Sequence, residues 1–232
     1  MIVLALDTTT RAGSVAVADD DRVLALVHGD PSRTHGERLP GEIAAALEHA
    51  ALSRDRVDLL AVAAGPGAFT GLRIGLAAMQ GLAMTLGKPV AGVSALDALA
   101  AQVDHAAVDL VAPWMDAQRG DVFAALVDLG TQRTIEAPLT ANPSAVAQQW
   151  AAIIGDRSVV FIGDAVTRDA DAIAAAGQGR WRTQTPQPLA PQIAAIGRRM
   201  AERGEAGLPH ALTPIYVRRP DAEIERERRG QP

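Results

Sequence analysis

The sequence has no cysteine among its 232 residues, which excludes disulfide bonds, thiolate nucleophiles and cysteine–zinc sites. Aromatic residues make up only 3% of the chain, although hydrophobic residues as a whole reach 48%. We therefore expect cores built from small and aliphatic side chains. The length is sufficient for one compact domain or two small lobes with buried cores.

Long apolar runs are also absent. No run reaches the roughly 18 residues that span a membrane, and the opening MIVLALDTTT lacks the basic residues of a signal peptide. The net charge of −5 argues against non-specific nucleic-acid binding as the main activity. These features predict a soluble, cytoplasmic protein with no membrane partner.

Predicted strands and helices interleave along the chain, and the first strands form hairpins. Apolar runs predict strands at 2–8, 13–20, 22–29, 57–65, 88–94, 109–128 (two strands) and 158–166. Helical spacing predicts helices at 35–52, 71–86 (with Thr70 as its N-terminal cap), 95–103, 142–154 and 189–206. This order predicts an α/β protein with mixed sheets flanked by helices, in two units.

The two units show a weak internal repeat. In each unit an apolar run ends in an aspartate, Asp7 or Asp116, and a turn with arginine and glycine leads into the next strand. Coincidence is an open alternative. We predict an N-terminal lobe of residues 1–104, a smaller C-terminal lobe of 105–188 and a charged tail of 207–232. The helix at 189–206 is expected to pack back on the first lobe.

The segment AAGPGAFTGLRIGLAAMQGLA at 63–83 looks like a phosphate-binding loop that runs into a helix. The Walker pattern requires a lysine, but Leu72 and Arg73 follow Gly71. The dinucleotide pattern requires a glycine at position 70, which is threonine. Neither nucleotide pattern is met, although backbone N–H groups at the helix start can still receive an anion.

Glycines inside this helix are the second notable feature. Each interior glycine costs about 1 kcal/mol relative to alanine. Gly71, Gly75, Ala78 and Leu82 share one face on a helical wheel, which predicts close packing of another helix against that face. Arg73 opposes the helix dipole, so a partner carboxylate or a bound phosphate is expected beside it. The alternative is an internal core helix with Arg73 as a solvated edge residue.

Other polar residues give weaker signals. The turn from Asp7 to Thr10 follows a strand and suits a metal–phosphate group, or simply a turn stabilised by its own side chains. Asp116 and Asp164 end strands in the same way. No two of the five histidines have the i, i+4 spacing of a helical metal site, and G-x-S-x-G is absent.

Four segments together resemble one known family. They are LALDTTTRAGSVAV, AGPGAFTGLRIGLAAMQGLA, GVSALDALA and MDAQRGDVFAAL, with a weaker match in TPIYVRRPDAE. The sequence is similar to the bacterial TsaB family, also called YeaZ. The resemblance implies an actin-like (ASKHA, RNase H-like) fold with two related lobes. It also implies a subunit that pairs with TsaD, and with the ATPase TsaE, to transfer threonylcarbamoyl to adenosine 37 of tRNAs that read ANN codons.

The resemblance places a partner interface on the first and second long helices. The residues are His35, Leu39, Ile43, Leu47, Gly71, Arg73, Ile74, Gly75, Ala78 and Leu82. A nucleotide or phosphate site is left open at Asp7, Thr8, Thr9 and Gly67. No catalytic or metal residue is expected, because Leu39 replaces the second histidine of the TsaD pattern H-x-x-x-H.

The implied partners are a TsaD-like paralogue, a TsaE-like ATPase and, when the chain is alone, a second copy. Contact with tRNA is expected only through the complex. The resemblance implies no cofactor of its own, and it leaves open ATP or ADP and Mg²⁺ at the partner interface or in the partner. The alternative function is an active ATPase or small-molecule kinase, based on the turns at Asp7–Thr9 and Gly163–Asp164. A peptidase has no nucleophile–base pair or metal site to support it.

Overall fold

The computed structural model describes residues 1–104, 106 and 108–217, which form ten strands and six α-helices. The first half contains β1 (Ile2–Asp7), β2 (Ser14–Asp19), β3 (Arg22–His28), α1 (His35–His49), β4 (Leu59–Gly65), α2 (Phe69–Leu86), β5 (Val90–Ser94) and α3 (Ala95–Ala100). The second half contains β6 (Leu110–Asp116), β7 (Val122–Asp128), β8 (Arg133–Ala141), α4 (Pro143–Ile154), β9 (Val159–Ile162), α5 (Ala170–Ala176), β10 (Arg182–Gln184) and α6 (Ala190–Glu202). The charged tail predicted at the C-terminus lies outside the described residues from 218 onward.

The two five-stranded sheets have the same topology. The first runs β3-β2-β1-β4-β5 and the second β8-β7-β6-β9-β10. In each, the opening strand pairs antiparallel with the second strand and parallel with the fourth. The helices also correspond in chain order, α1 to α4, α2 to α5 and α3 to α6. The suspected internal repeat is therefore confirmed as a duplicated β-β-β-α-β-α-β-α unit.

Strand alternation divides the apolar residues among three cores. In β1, Leu4 and Leu6 face the core under α1 and α2, whereas Val3 and Ala5 face the core between the sheets. The middle core also holds α3 and α6, and α6 packs on the first sheet. The third core lies under α4 and α5. The first sheet thus presents α1 and α2 as its outer layer.

The third core corrects the expectation of small and aliphatic cores. All three tryptophans of the chain lie there with Phe161. Trp114 and Trp150 are fully buried, and the Trp114 ring contacts Phe161 edge-on at 5.2 Å between centroids. Five of the seven aromatic residues lie in the second lobe, so the average composition predicted the core of the first lobe correctly and that of the second lobe incorrectly.

Helix boundaries follow local signals. Thr34 precedes α1, and its backbone N–H donates to the Glu37 carboxylate at 2.9 Å, as in a capping box. Gly87 ends α2 in the left-handed conformation with φ of 63°. Within the described residues no helix is long and apolar enough to cross a membrane.

Candidate functional site

The outer layer of the first sheet exposes small and apolar residues. We call this the α1–α2 surface, defined by the exposed residues Gly36, Pro40, Gly41, Ala44, Phe69, Arg73, Ala77, Gly81 and Met84. Met84 is 70% exposed and Phe69 is 44% exposed, which is high for large apolar side chains in a folded domain. Small residues in the centre allow another helix to approach closely. The surface has the composition of a protein-binding site.

Gly71 and Gly75 do not belong to this surface. A Cβ at Gly71 would lie 2.3 Å from the Thr8 carbonyl oxygen, and one at Gly75 would lie 2.1 Å from Thr8 Oγ1. Both glycines are buried, and they let α2 rest directly on the turn after β1. The prediction that they face a partner is wrong, because their own chain fills the space.

Within α1 and α2, Gly41 and Gly81 are the glycines that face open space. A Cβ built at either position would meet no atom within 4 Å. The described residues therefore give no packing reason for glycine at either place. An interior helical glycine lowers helix stability by about 1 kcal/mol relative to alanine, and no contact within the described chain offsets this loss at Gly41 or Gly81.

Two predicted interface residues of α1, Leu39 and His35, make their contacts within the first lobe. Leu39 is only 2% exposed, so the prediction that it contacts a partner is wrong. His35 Nε2 lies 3.1 Å from the Thr10 carbonyl oxygen, and Nδ1 lies 2.8 Å from Arg38 Nη2. These contacts assign a neutral ring with the proton on Nε2. Both ring nitrogens are therefore occupied within the lobe. Burial and the charge of Arg38 lower the pKa of His35, in agreement with a neutral ring.

The remaining predicted interface residues lie at the edge of the surface. Ile43, Leu47, Ile74, Ala78 and Leu82 are partly buried and pack against the core under α1 and α2. Their uncovered atoms border the α1–α2 surface. A role in partner contact stays a prediction for these five.

Arg38 is a structural residue that the sequence did not reveal. Its side chain is buried, Nη1 pairs with Glu42 Oε1 at 2.5 Å, and Nη2 donates to the Ala12 carbonyl oxygen at 2.5 Å. It therefore fixes α1 to the β1–β2 turn. The i, i+4 spacing of Arg38 and Glu42 indicates an ion pair on a helix, but it does not indicate burial.

The Asp7 turn satisfies its own polar groups. Asp7 Oδ1 accepts from the Thr9 N–H at 2.8 Å and from Thr9 Oγ1 at 2.5 Å, and Oδ2 accepts from Thr10 Oγ1 at 2.9 Å. Thr8 Oγ1 is buried against α2, without a hydrogen-bond partner among the described atoms. A Cβ at Gly67 would lie 2.4 Å from Thr9 Cβ. Thr8, Thr9 and Gly67 thus have internal packing or hydrogen-bonding roles, and phosphate contact by Asp7, Thr8, Thr9 and Gly67 stays a prediction.

Asp7 also lines a cleft of about 390 Å³ between the lobes, whose opposite wall carries Asp164. Burial raises the pKa of Asp7. Burial, together with the charges of Asp116 and Asp7, raises the pKa of Asp164, whose Oδ1 accepts from the Asp116 N–H at 2.9 Å. Arg11 and His28 line the same cleft, so its lining carries groups of both signs. Among the described residues no group of three acidic or histidine side chains is placed to hold a metal ion.

Arg73 lies in an aromatic cluster that the sequence did not predict. Its guanidinium carbon sits 3.8 Å from the centre of the Phe69 ring, and Nε donates to the Tyr216 hydroxyl at 3.2 Å. The Phe69 and Tyr216 rings stack at 5.9 Å. No carboxylate pairs with Arg73 within the described chain. The alternative prediction of a solvated edge residue agrees with the exposure of Arg73 but did not include its contacts with Phe69 and Tyr216.

Tyr216 reaches Arg73 because the segment after α6 runs back over the first lobe. Gly207 pairs with Val90 at the edge of the first sheet, and Gln80 donates to the Pro209 and Leu212 carbonyl oxygens at 3.0 and 3.1 Å. The Ile215 N–H then donates to the Ala64 carbonyl oxygen at 2.6 Å. The C-terminal segment therefore forms one border of the α1–α2 surface.

Comparison with solved structures supports the two-lobed fold. The ROK hexokinase from Thermus thermophilus superposes with a TM-score of 0.51 at 15% identity, covering 87% of this chain and 100% of that chain. At that identity the likeness concerns the fold alone. The actin-like fold predicted from the resemblance is confirmed, with mixed sheets and flanking helices.

Closer relatives share both sequence and fold. The family model described as "TsaD: tRNA N6-adenosine threonylcarbamoyltransferase" matches residues 29–224. The tRNA threonylcarbamoyladenosine biosynthesis protein TsaB of Bacillus subtilis is 27% identical over 230 residues, which cover 96% of each chain. YeaZ from Pseudomonas aeruginosa superposes with a TM-score of 0.76 at 28% identity, covering 93% of this chain and 99% of that chain. This chain therefore belongs to the TsaB family, also called YeaZ.

Proposed function

We propose that this protein is a non-catalytic scaffold subunit in the biosynthesis of threonylcarbamoyladenosine in tRNA. It pairs with a TsaD-like paralogue through the α1–α2 surface. The names of its relatives support the pathway, since the B. subtilis relative is a tRNA threonylcarbamoyladenosine biosynthesis protein. The observation that carries the pairing is the open, small-residue stripe around Gly41, Ala77 and Gly81.

The shape of this surface suits a helical partner. Exposed residues recur at helical spacing on α2, from Arg73 through Ala77 to Gly81. A stripe of small side chains lets a second helix pack at the short end of the usual 8–10 Å interaxial range. When the partner is absent, a second copy of the chain would occupy the same surface.

Three features of the first lobe support the non-catalytic role. Leu39 is buried where the TsaD pattern places a second histidine, and His35 is bonded to its own lobe. In the cleft, Asp7 is held by Thr9 and Thr10. Chemistry, ATP or ADP and Mg²⁺ therefore belong to the partner or its interface in this proposal. A TsaE-like ATPase joins the complex, and tRNA is contacted only through it.

The test uses the same substitution on both lobes. Ala77→Arg places a long cation at the centre of the α1–α2 surface, and Ala152→Arg places it on exposed α4 of the second lobe. We expect Ala77→Arg to weaken binding to the TsaD-like protein of the same organism by about 30-fold or more, as at an interface hot spot. Ala152→Arg should bind like the wild type in isothermal titration calorimetry.

A reconstituted reaction then tests the function itself. The TsaD-like and TsaE-like proteins are assayed with and without this chain, and modified adenosine in tRNA is measured. Wild type and Ala152→Arg should restore formation of threonylcarbamoyladenosine, and Ala77→Arg should not at equal concentration. Product formation that is independent of this chain, or full pairing by Ala77→Arg, would contradict the proposal.

A further inference from the structure

The only charged residue of α2 is Arg73, within a helix of 18 residues. Its side chain is exposed at the N-terminal end of the α1–α2 surface. Phe69 supports one face of the guanidinium, and Tyr216 accepts the Nε hydrogen. The contacts use Nε and the ring face, and within the described chain they leave both Nη groups without an acceptor.

Three other arginines are paired with carboxylates of their own chain. Arg168 pairs with Asp116, Arg198 with Asp21 and Arg203 with Glu205. Among the described residues Arg73 has an aromatic ring and a phenol instead of a carboxylate. Stacking on Phe69 reduces the rotamer freedom that a flexible arginine loses on binding. The side chain is thus oriented in advance while its charge stays available.

We propose that Arg73, oriented by Phe69 and Tyr216, is an anchor that receives a carboxylate side chain of the TsaD-like partner. This inference rests on the proposed function and specifies one end of its interface. The two Nη groups match a carboxylate in a bidentate ion pair. Arginine and tyrosine beside exposed apolar residues are also the residue types most often found at interface hot spots.

The surroundings favour a protein carboxylate over a phosphate of RNA. Binding to a nucleic-acid backbone uses several cations that together neutralise phosphates. Here α2 supplies one cation, and the exposed ends of the adjacent α1 carry Glu37 and Glu48. The chain as a whole has a net charge of −5. Within the described residues, one cation in an apolar, slightly acidic setting suits one acidic side chain.

The binding test compares substitutions within the anchor. We expect Arg73→Ala to raise Kd for the TsaD-like partner by about tenfold, and Arg73→Glu by more, in calorimetry without tRNA. Arg73→Lys should recover only part of the affinity, because an ammonium cannot form the planar pair. Tyr216→Phe keeps the stacked ring and removes the hydroxyl, so its effect should be smaller than that of Phe69→Leu. Arg203→Ala, on an exposed arginine paired with Glu205, is the matched control.

Salt dependence separates a charge contact from lost packing. The affinity of the wild type should fall as KCl rises, and the slope should be shallower for Arg73→Ala. Because Arg73 is exposed, thermal unfolding of its variants should match that of the wild type.

Three results overturn the anchor. Arg73→Ala and Arg73→Glu could bind within about twofold of wild type, which is well inside the tenfold that 1.4 kcal/mol represents. The salt slope could be unchanged. The loss could appear only when tRNA is present, which would assign the contact to phosphate. If Ala77→Arg still abolishes pairing in any of these cases, the proposed function stands and only the anchor fails. If Ala77→Arg also pairs normally, the interface itself is wrong.

Discussion

The outer helices of the two lobes have the same place in the fold and different surfaces. On the second lobe α4 and α5 expose alanines together with Ser144, Gln148, Gln149 and Asp171, but no large apolar side chain, and α5 has only 7 residues against 18 in α2. On the first lobe α1 and α2 expose three glycines, two alanines and the large apolar side chains of Phe69 and Met84. The duplicated fold explains why both layers exist. Only the exposed residues distinguish the two layers, and those of the first lobe are the basis of the proposed pairing.

The interiors differ as well. The first lobe fills the space under its outer helices with aliphatic side chains, whereas the second stacks tryptophans around Phe161. Each lobe also uses an arginine to hold the turn between its first two strands. Arg38 donates to the Ala12 carbonyl oxygen, and Arg168 donates to Asp116 and to the Asp121 carbonyl oxygen. The same mechanical task is thus performed by a buried arginine in one lobe and a half-exposed one in the other.

We expect the largest loss of stability when one of these two arginines is replaced. Arg38→Ala leaves Glu42 and two turn carbonyl groups without their donor in a buried site, so we expect a loss of about 3–5 kcal/mol in unfolding free energy. Urea denaturation followed by circular dichroism measures it.

Arg168→Ala is the matched variant of the second lobe. The Arg168 side chain is 38% exposed, and Trp114 still donates to Asp169 after the substitution. Water can replace part of what is lost, so the cost should be about 1–2 kcal/mol. Equal losses for the two variants would show that burial does not distinguish the two turns.

The next effect tests the direction in which the glycines of α2 face. Gly75→Ala places a methyl group on Thr8 Oγ1, and we expect a loss of about 1–3 kcal/mol from overpacking. Thr8→Ala in the same chain should restore part of that stability by removing the clash. Thermal and urea unfolding of the two single variants and the double variant gives the coupling.

Gly81→Ala is the control on the exposed side of the same helix. With no atom near the new methyl group, the substitution should stabilise the protein by about 0.5–1 kcal/mol. A destabilised Gly81→Ala, or a neutral Gly75→Ala, would reverse the assignment of buried and exposed faces.

A smaller effect compares two tryptophans of the second lobe. Trp114 Nε1 donates to the buried carboxylate of Asp169 at 2.9 Å, whereas Trp150 Nε1 has no hydrogen-bond partner among the described atoms. Trp114→Phe should therefore cost about 1 kcal/mol more than Trp150→Phe, since both lose similar ring area. Fluorescence-monitored urea unfolding is suitable because at least two tryptophans remain in each variant. Equal costs would mean that Arg168 alone satisfies Asp169.

Much of the fold could be predicted from local patterns. The helix expected at 71–86 is Phe69–Leu86, and the prediction of Thr70 as its cap is wrong, because Ala68 is at the N-cap and Thr70 lies in the first turn. The weak repeat of Asp7 and Asp116 corresponds to an identical strand order in the two sheets. Three elements were not predicted: β8, α5 and β10. The β8 segment RTIEAPLTA contains a proline and pairs with β7 through shifts of register, and β10 has only three residues. Such elements depend on the neighbouring strand more than on their own periodicity.

The candidate site was predicted less well, because periodicity gives the faces of a helix but not their directions. Gly71 and Gly75 share a face with Ala78 on the wheel, yet that face meets Thr8, which is more than sixty residues away in the chain. Arg38 looks like an ordinary surface arginine until the Ala12 carbonyl group is brought to it. Tyr216 approaches Arg73 across 143 positions of sequence. These contacts are set by tertiary structure, which no local window contains.

The smallest expected effect concerns the cleft where the lobes meet. Burial and the neighbouring carboxylates of Asp116 and Asp7 raise the pKa of Asp164 in the folded protein. As pH falls through that raised pKa, the folded state takes up a proton before the unfolded state does. The cost of the ionised Asp164 carboxylate in the folded state is then removed, and the free energy of unfolding rises. Asp164→Asn cannot titrate but keeps a side-chain oxygen for the Asp116 N–H. The stability of wild type relative to Asp164→Asn should therefore rise between about pH 7 and about pH 4, the range above the ordinary aspartate pKa. Urea denaturation at several pH values measures this difference. If this difference in unfolding free energy stays constant or falls with acidification, Asp164 is fully solvated in the cleft and is not affected by the carboxylates of Asp116 and Asp7.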